Sequence, residues 1–395
     1  MTPLAITSVS TANPLGRGCD ATFAALHSRR GGLRRNDLAF APLDTFIGRV
    51  EGLEDEPVAI ELAQFDCRNH RLAQLGLRQD GFEEAVDRAR SRYGAHRIAV
   101  LIGTSTSGIR ETENAFCQRD PGTGALPPVF RYRETHNVFS GAEFVRSQLK
   151  LQGPAAVIST ACSSSAKVFA SAHRMIETGF ADAAVVGGVD SLCLTTLYGF
   201  GSLELLSRGP CRPCDAKRDG ISIGEAAGFA LLERVADGES GIGLVGYGES
   251  SDAYHMSSPH PEGQGAYRAM RDALMRARIS EAEVDYVNMH GTGTPANDRS
   301  EDRALFRLFG VSTPCSSTKG WTGHTLGAAG ILEAIISVLC MREGYVPGSL
   351  NVRQIDPEFQ SRIAVEPETR ELRYVLSNSF GFGGNNCSLV FGRLS

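Results

Sequence analysis

Four short runs of β-branched and small apolar residues, IAVLIGTS (98–105), AAVIST (155–160), AAVVGGVDS (183–191) and VDYVNMHG (284–291), each close on Gly, Ser or Thr. Strands buried on both faces read this way, because only small residues fit where the chain turns away from a covered sheet. Around them lie GFEEAVDRARSRYG (81–94), SAKVFASAHRMIETG (165–179), GAYRAMRDALMRARI (265–279) and GAAGILEAIISVLCMREG (327–344). In these stretches apolar residues recur at three and four, the period of an amphipathic helix. Strands alternating with helices predict an α/β fold whose sheets are covered by helices.

A chain of 395 residues is long enough for a sizeable core, in one large unit or in two domains. No Pro- or Ser-rich linker interrupts it. GESGIGLVGYGES (238–250) is a Gly-rich crossing near the middle, and it suggests an N-terminal half over residues 1–248 and a C-terminal half over 249–395. Each half carries a strand, a turn with a reactive-looking residue and a small-residue helix: TACSSS in the first, TKGWTGHTLGAAG in the second.

The net charge of −5 offers no global attraction to nucleic acid or to an anionic membrane, so an acidic partner must meet a local basic patch. No apolar run approaches the roughly 20 residues of a membrane helix, and MTPLAITSVS lacks the basic flank and apolar stretch of a signal peptide. A cytoplasmic protein without membrane insertion is expected. Ten cysteines are too sparse for a disulfide scaffold. Cys211 and Cys214 form a CxxC, but no second pair accompanies it, as a zinc site would require.

Cys162 follows the apolar run AAVIST and precedes SSSAKVFASAHRM, which places it at a strand-to-helix turn. Free N–H groups and the positive end of the helix dipole favour the thiolate there, against a free thiol pKa of about 8.5. The alternative is one more buried cysteine. His290 ends an apolar strand in VNMHGTGTPANDRSED, and His324 lies in the Gly-rich turn of STKGWTGHTLGAAG, five residues after Lys319. Either histidine alone reads equally as a structural residue. Together, one thiol and two imidazoles on three junctions suit acyl-thioester chemistry: a nucleophile that takes an acyl group, and N–H donors for a developing enolate. Zinc is disfavoured, because no close-spaced ligand set such as HExxH is present. Lys319 is expected to act through its charge, which in a cleft would lower the pKa of nearby groups or anchor a carboxylate such as Glu301. SNSFGFGGNNCSLVFG (377–392) packs glycines and phenylalanines into a turn between strands, and lacks the Lys of a phosphate loop.

Five motifs, in order, carry a family resemblance: STACSSS around Cys162, RPCDAKRDGISIGEAAG (212–228), HGTGTPANDRSE (290–301), TKGWTGHTLGAAG (318–330) and NSFGFGGNN (378–386). With these the chain resembles, nearly end to end, the decarboxylating β-ketoacyl-acyl carrier protein synthases of the thiolase superfamily. The resemblance implies a thiolase-like fold: two similar βαβαβαββ halves stacked as α-β-α-β-α layers, normally in a dimer. It makes Cys162 the acyl-accepting nucleophile, and His290 and His324 the pair that promotes malonyl decarboxylation. Lys319 and Glu301 become supporting charges, and the backbone N–H groups of Cys162 and Phe382 the oxyanion hole. Thr292 and Thr294 would meet the phosphopantetheine arm, with Phe380 and Phe382 forming a gating loop. No bound cofactor or metal is implied; substrates arrive on the phosphopantetheine of acyl carrier protein.

The sequence also departs from the family pattern. LSRGPCRPCD (206–215) is a short form of its loop, Ser165 and Asn385 replace commoner residues, and Thr106 stands where Ile or Gly is usual at the position that helps close the acyl pocket from the dimer partner. A polar pocket end suits a short or unsaturated chain, which resembles the synthases of aryl-polyene and polyketide-like clusters, some of them paired with a non-catalytic chain-length subunit. The dimer partner is then a second copy or a related ketosynthase-like subunit. Arg68 and Arg71, one helical turn apart, are the expected carrier-docking residues. Two rivals are weaker. Priming synthases pair their Cys with His and Asn, whereas a second His stands here, and chain-length subunits lack the nucleophile that this chain retains.

Overall fold

The computed structural model describes residues 1–236, 238 and 240–394. Ten strands fall into two sets of five. In the first set are β1 (Leu4–Asn13), β2 (Ile98–Gly103), β3 (Ala155–Ile158), β4 (Ala183–Asp190) and β5 (Ala226–Arg234). The second holds β6 (Gly241–Ser251), β7 (Tyr286–Asn288), β8 (Cys315–Ser316), β9 (Tyr374–Gly381) and β10 (Asn385–Leu394). Every residue of β2 and of β4 is buried, as their unbroken apolar runs require.

The first set is ordered β1-β5-β4-β2-β3 and the second β6-β10-β9-β7-β8. In each, the first two neighbour pairs run antiparallel and the last two parallel. The halves are therefore duplicates in topology. They join edge to edge through β1 and β6, where Leu4 pairs with Leu244 and Ala5 with Gly243.

Helices α1 (Arg68–Leu77), α2 (Phe82–Tyr93) and α3 (Ser140–Gln148) cover the outer face of the first set, with Leu72, Phe82 and Phe144 packed near Val100 and Ile102. Between the two sets lie α4 (Ser164–Glu177) and α7 (Ala329–Glu343); α5 (Gln264–Ala277) and α6 (Pro295–Phe309) close the far side. The layers are α-β-α-β-α. From Ala329 to Met341 every residue of α7 is buried, as befits a helix that is apolar all round and enclosed by sheets. Among the described residues no helix is long and apolar enough to cross a membrane.

From Gly241 onward the Gly-rich crossing at 238–250 is strand; its Glu239 lies outside the described residues. A Cβ on Gly248 would sit 1.9 Å from the Ala269 carbonyl oxygen, and one on Gly246 2.3 Å from that of Ala273. The glycines let the backbone of α5 lie directly on β6. Gly248, the last residue of the expected first half, thus falls inside the opening strand of the second.

Candidate active site

Cys162 sits between β3 and α4, buried, after Ala161 in a left-handed conformation at φ +54°. A non-glycine residue there costs about 1 kcal/mol, and strain of this kind clusters where a side chain must be aimed. Gly381, at the end of β9, passes so close that a Cβ would lie 3.2 Å from the Cys162 nitrogen. The next residue, Phe382, directs its backbone N–H at the Cys162 sulfur. Its ring lies 5.6 Å from that of Phe200.

His290 follows β7, and Glu301 of α6 holds that turn: its carboxylate accepts the N–H groups of His290 at 2.8 Å and Gly291 at 2.7 Å, and the Asn378 amide at 3.1 Å. His324 follows the short helix Lys319–Thr322. Its Nε2 is 3.1 Å from Cys162 Sγ, and its ring meets that of His290 edge-on, with centroids 5.3 Å apart. The three expected residues therefore form one cluster.

The far side of each imidazole decides its polarity. The Leu326 N–H donates to His324 Nδ1 at 3.2 Å, and the Lys319 ammonium, which has no acceptor to offer, donates to His290 Nδ1 at 3.3 Å. Each neutral ring must then carry its proton on Nε2. Burial, and then the Lys319 charge, hold both histidines well below the ordinary imidazole range. One face of the cluster thus presents two N–H donors. Ligand atoms of Cys162, His290 and His324 lie within 4.8 Å of one another, close enough for a metal ion. The donor polarity suits an oxygen anion instead, since a metal needs a lone pair on the ring nitrogen.

Two expectations are corrected here. Lys319 is paired with Glu333 of α7, not Glu301, and also donates to the His290 carbonyl oxygen. Burial pushes the carboxyls of Glu301 and Glu333 up to about 7. Glu333 is the one carboxylate in the apolar run GILEAIISVLCM, a signal that its position marks a buried partner. The Cys162 thiol, expected to favour the thiolate, is pushed up to about 11 by burial, against the Lys319 charge and the Phe382 N–H.

The cluster opens into a cavity of about 340 Å³. Thr292 and Thr294, their hydroxyl oxygens 2.9 Å apart, line it together with Phe380, Phe382 and Asn297. Thr106 does not. It is buried outside this chain's own cavity, with its hydroxyl donated to Asp190 at 2.8 Å. The RPCDAKRDG segment braces the site from behind: Arg218 pairs with Asp356 at 2.7 Å and lies 3.6 Å from Asp298, which accepts the Gly293 N–H. Ser165, one of the unusual residues, accepts the Ile331 N–H at 3.0 Å and ties α4 to α7.

Both arginines expected to meet the carrier are paired within the chain. Arg68 forms ion pairs with the buried Glu225 at 2.6 Å and with Glu54, and its side chain is 11% exposed. Arg71 pairs with Asp66 at 2.6 Å. These charges are neutralised within the chain by carboxylates that sequence spacing does not reveal.

Residues 1–238 match the beta-ketoacyl synthase N-terminal domain, and residues 243–353 the C-terminal domain of the same family. The 3-oxoacyl-[acyl-carrier-protein] synthase 2 of Rhizobium meliloti (strain 1021) is 38% identical over 341 residues, 81% of this chain and 79% of that protein. The protein of the same name from Staphylococcus aureus (strain COL) is 33% identical over 376 residues, 87% of this chain and 90% of its own. Among solved structures, the ketosynthase ApeO in complex with its chain length factor ApeC, from Xenorhabdus doucetiae, superposes with a TM-score of 0.90. It is 39% identical, covering 100% of this chain and 98% of that one. With a duplicated thiolase-like fold, a buried Cys–His–His cluster and these relatives, the chain belongs to the β-ketoacyl synthase family of condensing acyltransferases.

Proposed function

We propose that Cys162 carries the growing acyl chain, and that His290 and His324 hold the enolate made by decarboxylating malonyl carrier protein. The observation that carries this is the pair of Nε2–H donors beside the sulfur, each fixed by a donor at its own Nδ1. In the first step the sulfur attacks the thioester on carrier-protein phosphopantetheine. The new S–C bond replaces the old one, and the Cys162 proton leaves on the phosphopantetheine thiol. Because that proton is held firmly in the free enzyme, its loss is coupled to arrival of the acyl donor.

In the second step the C–C bond to the malonyl carboxylate breaks and carbon dioxide departs. The electron pair moves into the thioester, whose oxygen becomes the anion received by the two imidazole N–H groups. The resulting carbanion attacks acyl-Cys162. The backbone N–H groups of Cys162 and Phe382 serve the oxyanion of that addition, and Cys162 leaves and regains a proton from solvent. Thr292 and Thr294 bind the phosphopantetheine arm, and Phe380 and Phe382 gate the cavity. The product is a β-ketoacyl thioester two carbons longer, made without a bound cofactor.

The protein works in the cytoplasm as a dimer. β3 ends the first sheet with all its residues half-buried, an open edge for pairing with another chain. That chain is a second copy or a ketosynthase-like subunit, the latter favoured by the likeness to a ketosynthase in complex with its chain length factor. The same likeness supports a pathway of the polyketide or aryl-polyene kind over housekeeping fatty-acid synthesis. The test is mass spectrometry of the chain with carrier protein bearing saturated or polyunsaturated acyl groups, with and without malonyl carrier protein. A Cys162 adduct that gives way to a two-carbon-longer product is expected. No adduct from any donor, alone or with a partner subunit, overturns the nucleophile assignment.

A further inference from the structure

Asp190 ends β4, fully buried and outside the cavity, yet its carboxylate reaches two segments that frame the active site. Oδ1 accepts from the Thr104 hydroxyl at 2.7 Å, the Ser105 N–H at 2.8 Å, the Thr106 N–H at 2.9 Å and the Thr106 hydroxyl at 2.8 Å. Oδ2 accepts the Ser105 N–H at 3.0 Å and the Gly327 N–H at 2.6 Å. A Cβ on Gly327 would lie 2.8 Å from Oδ2. The approach therefore requires glycine.

The contact with Gly327 leads to the chemistry. The preceding residue, Leu326, is left-handed at φ +53°, which a leucine adopts only when its surroundings impose it. Its N–H is the group that donates to His324 Nδ1. Were this turn to relax, the N–H would swing away, and Nδ1 would lose the donor that keeps the imidazole proton on Nε2.

We propose that Asp190 is a positioning residue for His324: by pinning Gly327 it holds Leu326 in the conformation that caps Nδ1 and so keeps the Nε2 proton facing Cys162. The proposal rests on the reading above, in which that N–H serves the reaction. A carboxylate is required because each of its partners is a donor. An amide of the same shape must turn its NH2 toward either the Gly327 N–H or the Thr104 and Thr106 donors, and the oxygen cannot serve both.

The test uses the full chain labelled with 15N-histidine, its His324 signals identified by their loss in His324→Ala. In the unmodified protein they should report a protonated Nε2 and a bare Nδ1; a bare Nε2 overturns the proposal without any variant. Asp190→Asn should mix the two tautomers, whereas Thr104→Val, which deletes an Asp190 contact on the far side from Gly327, should leave the His324 pattern unchanged. Gly327→Ala, which displaces the carboxylate, should act as Asp190→Asn does and stands in for it if that variant does not fold. For malonyl decarboxylation, Asp190→Asn should lower kcat by about 10²-fold, the scale of a misplaced catalytic group, with KM nearly unchanged. An unaltered His324 pattern in Asp190→Asn, or an equal disturbance in Thr104→Val, overturns the assignment and leaves Asp190 a structural residue. Because the tautomer is read without substrate, a chain that condensed nothing would overturn the functional reading and not this one.

Discussion

Lys319 forms a buried ion pair with Glu333 across the helix layer, while the same ammonium donates to His290 Nδ1 at 3.3 Å. One lysine thereby joins the central helix α7 to the His290 imidazole. Glu333→Gln would leave its charge buried without a counter-ion, and a loss of about 3–5 kcal/mol is expected. Replacing both partners together, Lys319→Met with Glu333→Leu, should be less damaging, because no charge is then stranded. Urea unfolding of the two variants decides between these outcomes.

The pH dependence of stability has a definite sign at His324. Burial holds its folded pKa below the unfolded value of 6.5, so it contributes stability that is complete above pH 6.5 and is lost as pH falls below it. The variant His324→Gln cannot take up that proton. Relative to it, the unmodified protein should lose on the order of 1.4 kcal/mol more for each pH unit below 6.5. Denaturant titrations at pH 7, 6 and 5 measure the difference.

Alkylation of the free enzyme should report the state of Cys162. With its thiol raised to about 11, the rate of modification by iodoacetamide should climb about tenfold per pH unit from pH 7 to 10. A rate that levels off below pH 8 would mean that the thiolate is already formed at rest. Mass spectrometry of the Cys162 peptide follows the reaction.

Glu301 should matter to catalysis through the turn that carries His290. Glu301→Gln places an NH2 among the N–H groups of His290 and Gly291, which its carboxylate now accepts, and displaces His290. A fall of about 10²-fold in kcat is expected, with acylation of Cys162 affected less than malonyl decarboxylation. Single-turnover assays of the two half-reactions separate them.

Glycines of similar appearance should behave oppositely. Gly248→Ala forces a Cβ against the Ala269 carbonyl oxygen, 1.9 Å away, and should cost about 1–3 kcal/mol or more. Gly199 lies in the helix Leu194–Ser202 with nothing within 4 Å of its would-be Cβ. Gly199→Ala should therefore stabilise by up to about 1 kcal/mol. Thermal unfolding of both variants tests this reading of the backbone.

Local order along the chain was enough to find the strands at 98–105, 155–160 and 183–191, the helices beside them, and the three residues Cys162, His290 and His324. Each of these lies in a turn of small residues, and period and turn chemistry are properties of neighbouring residues. Pairings across the fold were not legible. Lys319 meets Glu333 rather than Glu301, Arg68 is neutralised by Glu225 from 157 residues away, and Asp190 reaches Gly327 across 137. The glycines of β6 read only as a crossing between two halves for the same reason, since the α5 backbone that requires them lies elsewhere in the sequence.

The sequence by itself determined which residues are apolar, which turns are tight and which side chains can do thioester chemistry. Only the tertiary structure decided which charges face one another and which nitrogen of each imidazole holds its proton. Those properties depend on burial and on hydrogen bonds between distant segments, and these exist only once the two five-stranded halves close around α4 and α7.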